Sequence, residues 1–113
     1  MENNYINYIE FKAINIDDVK NFYNKCFNWK FIDYGSTYTS FSESGIAGGF
    51  EKTNSKIING VLVVLYHKDL SLIKSNVISY GGKISKDIFS FPGGNRFHFL
   101  DPSGNELAVW SDK

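Results

Sequence analysis

The apolar pattern of this 113-residue chain calls for an α+β domain made of two βαβββ modules. Three observations carry that expectation. Each half holds one amphipathic stretch with helical spacing, preceded by one β-prone run and followed by three. A polar connection, Lys52-Thr53-Asn54-Ser55-Lys56, separates the halves. The order of elements then repeats at an offset of about fifty residues, a period typical of duplicated units, although few residues are identical between them.

In the first half, Tyr5 to Ala13 alternates: Ile9, Phe11 and Ala13 point one way, Tyr8, Glu10 and Lys12 the other. This is a half-buried strand. Asp17-Asp18 stands where a helix N-terminus favours carboxylates, and Val19, Phe22, Tyr23, Cys26 and Phe27 recur at three- and four-residue spacing up to a helix end near Asn28. Three short β-prone runs follow, Trp29 to Asp33, Thr37 to Ser42 and Ile46 to Glu51, separated by Gly35-Ser36 and Glu43-Ser44-Gly45.

In the second half, Gly60 to Tyr66 is an apolar strand. Asp69 opens a helix with Leu70, Ile73, Val77 and Ile78 on one face, and Gly81-Gly82 closes it. Strands at Lys83 to Ile88, Arg96 to Leu100 and Glu106 to Ser111 are broken by Pro92-Gly93-Gly94 and by the turn Asp101-Pro102-Ser103-Gly104-Asn105. The expected organisation is one domain over 1–113, with module 1 at about 5–52 and module 2 at about 58–112. The helix of each unit covers one sheet face only. Two units side by side would form a concave mixed sheet with helices on the outer face, a natural place for a small ligand.

Composition narrows the function. Ten Phe, seven Tyr and two Trp supply the bulk of a packed core, and a single cysteine, Cys26, excludes a disulfide scaffold. Twelve Lys plus Arg balance twelve Asp plus Glu, so no overall field draws in a polyanion, and nucleic acid is not an expected partner. The start, Met1 to Tyr5, has no basic stretch followed by an apolar run, and Val61 to Tyr66 is too short to cross a bilayer. A cytoplasmic protein without a membrane partner is expected.

Several segments resemble the glyoxalase, bleomycin-resistance and dioxygenase superfamily, also called the vicinal oxygen chelate superfamily. Tyr8-Ile9-Glu10-Phe11 leading to Phe22-Tyr23 and Phe27-Asn28-Trp29 is similar to its opening. Ile46-Ala47-Gly48-Gly49-Phe50 resembles its fourth strand and Gly81-Gly82-Lys83-Ile84 its second helix exit. Arg96 to Asp101, Pro102, Ser103-Gly104-Asn105 and Glu106-Leu107 resemble its ending. The resemblance implies paired βαβββ modules, a homodimer and a cavity on the concave sheets. It leaves the reaction open, because members include isomerases, ring-cleaving dioxygenases, thiol transferases and antibiotic-sequestering proteins. Metal-dependent members carry a ligand on the first, fourth, fifth and eighth strands. Those positions fall here on Tyr8, Gly48 or Gly49, Leu62 and Ala108. A divalent ion needs three or four N, O or S donors, so no metal ligand and no cofactor are expected, with a divalent metal held through other donors left as an alternative.

By alternation the concave face receives Tyr8, Glu10, Lys12, Arg96, His98, Glu106 and Trp110, whereas Phe97, Phe99, Leu107 and Val109 have the opposite parity and pack under a helix. Glu10 and His98 are candidate catalytic acids or bases. Glu10 has the alternative of pairing with Lys12 or Arg96. Arg96 could hold a carboxylate or phosphate, or pair with Glu106 or Glu10. Trp110 and Tyr38 could stack on a flat ligand, and Tyr8, Lys12 and Glu106 complete the candidate binding set. His67 is assigned no role beyond neighbouring a helix cap, and Cys26 reads as a small core residue. Neither Gly48-Gly49 nor Gly93-Gly94 lies in a phosphate-binding frame. The expected function is metal-free binding of a small organic molecule; the alternatives are a glyoxalase-like lyase or isomerase and a non-catalytic interaction subunit.

Overall fold

A computed structural model describes residues 1–113. The elements run β1 (Ile9–Ala13), α1 (Ile16–Phe27), β2 (Lys30–Asp33), β3 (Tyr38–Ser42) and β4 (Gly48–Lys52), then β5 (Val63–Tyr66), α2 (Leu70–Ser79), β6 (Lys83–Phe91), β7 (Gly94–Leu100) and β8 (Glu106–Ser111). Each module forms its own four-stranded mixed sheet, ordered β1-β4-β3-β2 and β5-β8-β7-β6. β1 runs parallel to β4, with Glu10 opposite Gly49 and Lys12 opposite Glu51. β5 runs parallel to β8, with Val64 opposite Ala108 and Tyr66 opposite Trp110.

Local chemistry sets the helix ends. The Asn15 side chain accepts the Asp18 N–H at the start of α1, and Asn28 ends it in the left-handed conformation. Asp69 caps α2 through the Leu72 N–H, while His67 Nδ1 accepts the Asp69 N–H beside it. Gly82 at the exit of α2 has a packing reason. A Cβ there would lie 2.7 Å from Val77 and 2.8 Å from Phe22, so only glycine lets the chain leave α2 against α1.

Several details differ from the sequence reading: β1 begins at Ile9 rather than Tyr5, and β4 at Gly48 rather than Ile46. β5 begins at Val63 rather than Gly60, because the Asn59 side chain supplies the partners for the start of β8: its Oδ1 accepts the Glu106 N–H and its Nδ2 donates to the Gly104 carbonyl. β6 continues to Phe91 and β7 begins at Gly94, so the hairpin is tighter than Pro92-Gly93-Gly94 suggested. Ile78 lies outside the buried face of α2, which is made by Leu70, Ile73 and Val77.

One apolar core serves both modules. Phe22 and Phe27 of α1 pack on Phe99 of β7, and Trp29 stacks between Tyr23 and Phe41 with ring centroids 4.6 Å from each. Polar ties cross the same boundary. Tyr23 donates to Asp101, Asn105 Nδ2 donates to the Lys12 carbonyl, and the Ile14 N–H donates to Ser103 Oγ. The Asp101 to Asn105 turn therefore holds the second module to the first, while its Asp101 Oδ1 accepts the N–H groups of Ser103, Gly104 and Asn105. No helix is long and apolar enough to cross a membrane.

Candidate functional site

With Ile9, Phe11 and Ala13 turned to the core, β1 presents Tyr8, Glu10 and Lys12 on its other face. The Tyr8 and Tyr38 hydroxyls meet in a hydrogen bond, and Tyr38 Oη donates to Glu10 Oε1 at 2.9 Å. Glu10 Oε2 lies 3.8 Å from Lys12 Nζ, which also pairs closely with Glu51. Desolvation raises the Tyr38 phenol well above its ordinary value, helped by Tyr8 and Glu10. The hydrogen bond to Glu51 raises the Lys12 ammonium. Both phenol and ammonium thus keep their protons at neutral pH, and the row supplies donors more readily than a free base. Gly49 makes room for it. A Cβ at Gly49 would stand 2.4 Å from Tyr38 Oη and 2.6 Å from Tyr8 Oη.

On the second sheet, Phe97, Phe99, Leu107 and Val109 are fully buried in the core, and Arg96, His98, Glu106 and Trp110 take the opposite parity. His98 is 6% exposed; its Nδ1 lies 3.2 Å from Glu106 Oε2, and its buried Nε2 has no partner. Ser85 Oγ also donates to Glu106 Oε2. Arg96 pairs with neither Glu10 nor Glu106. Its guanidinium lies over Phe89 and Phe91, 5.3 and 5.4 Å from the ring centroids, and its Nε is buried without an acceptor. Trp110 meets Tyr66 edge to face at 5.3 Å.

The eight candidate residues do not line one cavity. A cavity of about 690 Å³ brings Tyr8, Glu10 and Lys12 of the first module to Glu106 of the second, with Ile57, Val61 and Val63 as apolar wall. Arg96 and Trp110 line a separate one of about 410 Å³. His98 touches the first group only through Glu106, and Tyr38 only through its hydroxyl contacts. Of the two pairings open for Glu10, the structure shows the one with Lys12. A further opening of about 460 Å³ at the C-terminal end of α1, lined by Ile9, Phe27, Val63 and Leu65 among others, contains none of the candidates.

The four positions at which the sequence resemblance places metal ligands do not fit an ion. Tyr8 is committed to Tyr38, neither Gly48 nor Gly49 has a side chain, and Leu62, which precedes β5, and Ala108, which lies opposite Val64, carry no side-chain donor atom. No three His, Cys, Asp or Glu side chains gather where they could hold a metal.

Comparison with known proteins gives the fold its place. No family model matches the chain, and no curated protein matches it by sequence. Solved structures do match. A glyoxalase/bleomycin resistance protein/dioxygenase family enzyme from Burkholderia phytofirmans superposes with a TM-score of 0.82 at 13% identity, over 94% of this chain and 97% of that one. The chain has the glyoxalase/bleomycin-resistance fold. The same fold relates it to the fosfomycin resistance protein FosX from Listeria monocytogenes, with a TM-score of 0.81 at 13% identity over 95% and 92% of the two chains. Lactoylglutathione lyase from Agrobacterium tumefaciens follows at 0.73 and 15% identity over 96% and 93%. On this glyoxalase-like scaffold the aromatic, Asp-Pro and Gly-Asn ending forms the clasp between modules.

Sequence reasoning missed Glu51, Phe89 and Phe91. Glu51 meets Lys12 because β1 and β4 pair in parallel with a register that no local pattern announces. Phe89 and Phe91 reach Arg96 because β6 shifts register against β7 near Lys86, which breaks simple alternation.

Proposed function

We propose that this glyoxalase-like chain binds a small organic molecule without a metal, in the cavity shared by its two modules, and works as a homodimer. The convergence of Tyr8, Glu10 and Lys12 with Glu106 in about 690 Å³ carries this reading, since ligand sites of this size combine an apolar wall with a few polar groups. The polar row favours holding over turnover. Glu10 is already engaged by Tyr38 and Lys12, so abstracting a substrate proton would first require breaking those contacts. The residues at the metal positions support a metal-free site, and the enzyme names of two structural neighbours stay with those proteins.

The test is calorimetry of the EDTA-treated chain against a library of polar aromatic metabolites and antibiotics, with native mass spectrometry for stoichiometry. A dimer that binds one compound per cavity, weakened at least tenfold by Glu10→Gln or Tyr8→Phe, is expected. Turnover of a hemithioacetal that stops on adding chelator and returns with zinc or nickel would overturn it in favour of a lyase or isomerase.

A further inference from the structure

Arg96 is the chain's only arginine, and the structure leaves it without a protein anion. None of its nitrogens takes part in a hydrogen bond, and Nε is buried. Its neighbours across the sheet are Trp110 on β8 and Phe89 on β6, neither of which carries charge. The next residue on the same face, His98, also buries a ring nitrogen without a partner. Buried polar groups seldom go unpaired in folded proteins, and of these two Arg96 is the one that lines a cavity from which a partner could come. Contact with Phe89 and Phe91 orients the guanidinium by cation–π attraction but accepts none of its N–H groups. The cavity beside it is walled by Val64, Phe91, Pro92 and Trp110, so whatever meets the cation also meets two aromatic rings.

We propose that Arg96 and the aromatic wall around it form a binding subsite for an aromatic organic acid, its oxyanion on the guanidinium and its ring against Trp110 and Phe91. The planar fork suits a carboxylate or a phosphate ester, because either presents two oxygens to parallel N–H donors. Trp110 and Phe91 add a flat apolar surface that a bare inorganic ion cannot use. This subsite is separate from the cavity of Tyr8, Glu10 and Lys12, so it stands or falls independently of the function proposed above.

A single arginine gives a single Arg Nε–H signal, which makes the test direct. In ¹H–¹⁵N spectra of the full chain, that signal and the Trp110 indole N–H, assigned with Trp110→Phe, are followed during titration with benzoate, phenyl phosphate, inorganic phosphate and benzyl alcohol. Saturable shifts of both signals with benzoate or phenyl phosphate are expected, at least tenfold tighter than with inorganic phosphate and absent with benzyl alcohol. The two acids tell carboxylate from phosphate ester. Arg96→Met should weaken binding of the better acid tenfold or more; if that variant does not fold, the wild-type series of acid against alcohol still decides. Equal shifts with inorganic phosphate, equal shifts with benzyl alcohol, or no shift with either acid would overturn the proposal. So would an Arg Nε–H signal that moves with protein concentration alone, which would make this face a contact between copies of the chain.

Discussion

Tyr23 on α1 donates its hydroxyl to Asp101 Oδ2 at 2.8 Å, across 78 residues of chain and from one module to the other. Both side chains are buried, Tyr23 completely. Tyr23→Phe keeps the ring that stacks on Trp29 and removes only this donor, leaving Asp101 Oδ2 with Asn105 alone. A loss of about 1–3 kcal/mol is expected for a buried group deprived of its partner. Urea unfolding measures it; a loss under about 0.5 kcal/mol, the size of an ordinary surface change, would mean that the clasp is held by packing alone.

The same turn makes stability depend on pH in a direction opposite to that of most carboxylates. Burial raises the Asp101 carboxyl from its ordinary value, against hydrogen bonds from Asn105, Tyr23 and the turn that pull it down. With the folded value above the unfolded one of about 3.9, the native state binds a proton more readily than the unfolded chain. Its contribution is therefore fully present below the unfolded value and lost as pH rises through the folded one. Asp101→Asn removes the titration, so the stability of the wild type relative to the variant should fall as pH rises from about 4. Chemical denaturation of both proteins at several pH values checks the slope. A difference that grows with pH would show that the five hydrogen bonds outweigh burial.

Glycine positions separate close approach from open space. A Cβ at Gly48 would stand 2.1 Å from the Ile9 carbonyl of the paired strand and 2.4 Å from Phe41 Cζ. Backbone cannot step aside as a side-chain tip can. Gly48→Ala should cost about 3 kcal/mol or more, at or beyond the upper end of overpacking. Gly60, with nothing within 4 Å, should accept alanine within about 0.5 kcal/mol. Thermal unfolding of the two variants side by side gives the contrast, and similar losses would mean that β1 and β4 can separate without cost.

The elements were legible because their signals are local. Asn15 and Asp69 cap helices, Phe22 and Val77 mark apolar faces, and alternation along β1, β7 and β8 places Glu10, His98 and Glu106 on the side away from the helices. What local pattern could not supply is the partner of each side chain. Whether Arg96 would meet Glu10, Glu106 or neither depends on how the two sheets sit and on the irregular register of β6, both set by contacts far apart in sequence. The single concave pocket expected from parity is divided in the same way: Arg96 and Trp110 open onto a cavity separate from that of Tyr8, Glu10 and Lys12.

Cys26 offers a reporter of the interface between the two helices. It sits on the buried face of α1, 6% exposed, with Sγ 3.5 Å from the Asn76 carbonyl of α2. Burial pushes its thiol up to about 12, so at neutral pH it carries almost no thiolate. In disulfide exchange the thiolate attacks the reagent's S–S bond and expels the other sulfur as a thiolate, so the native chain should resist Ellman's reagent for as long as α1 and α2 stay packed. Reaction should begin with unfolding and follow the denaturant dependence seen by circular dichroism. Fast labelling without denaturant would instead show that α1 lifts from α2 in local openings well below the global unfolding free energy.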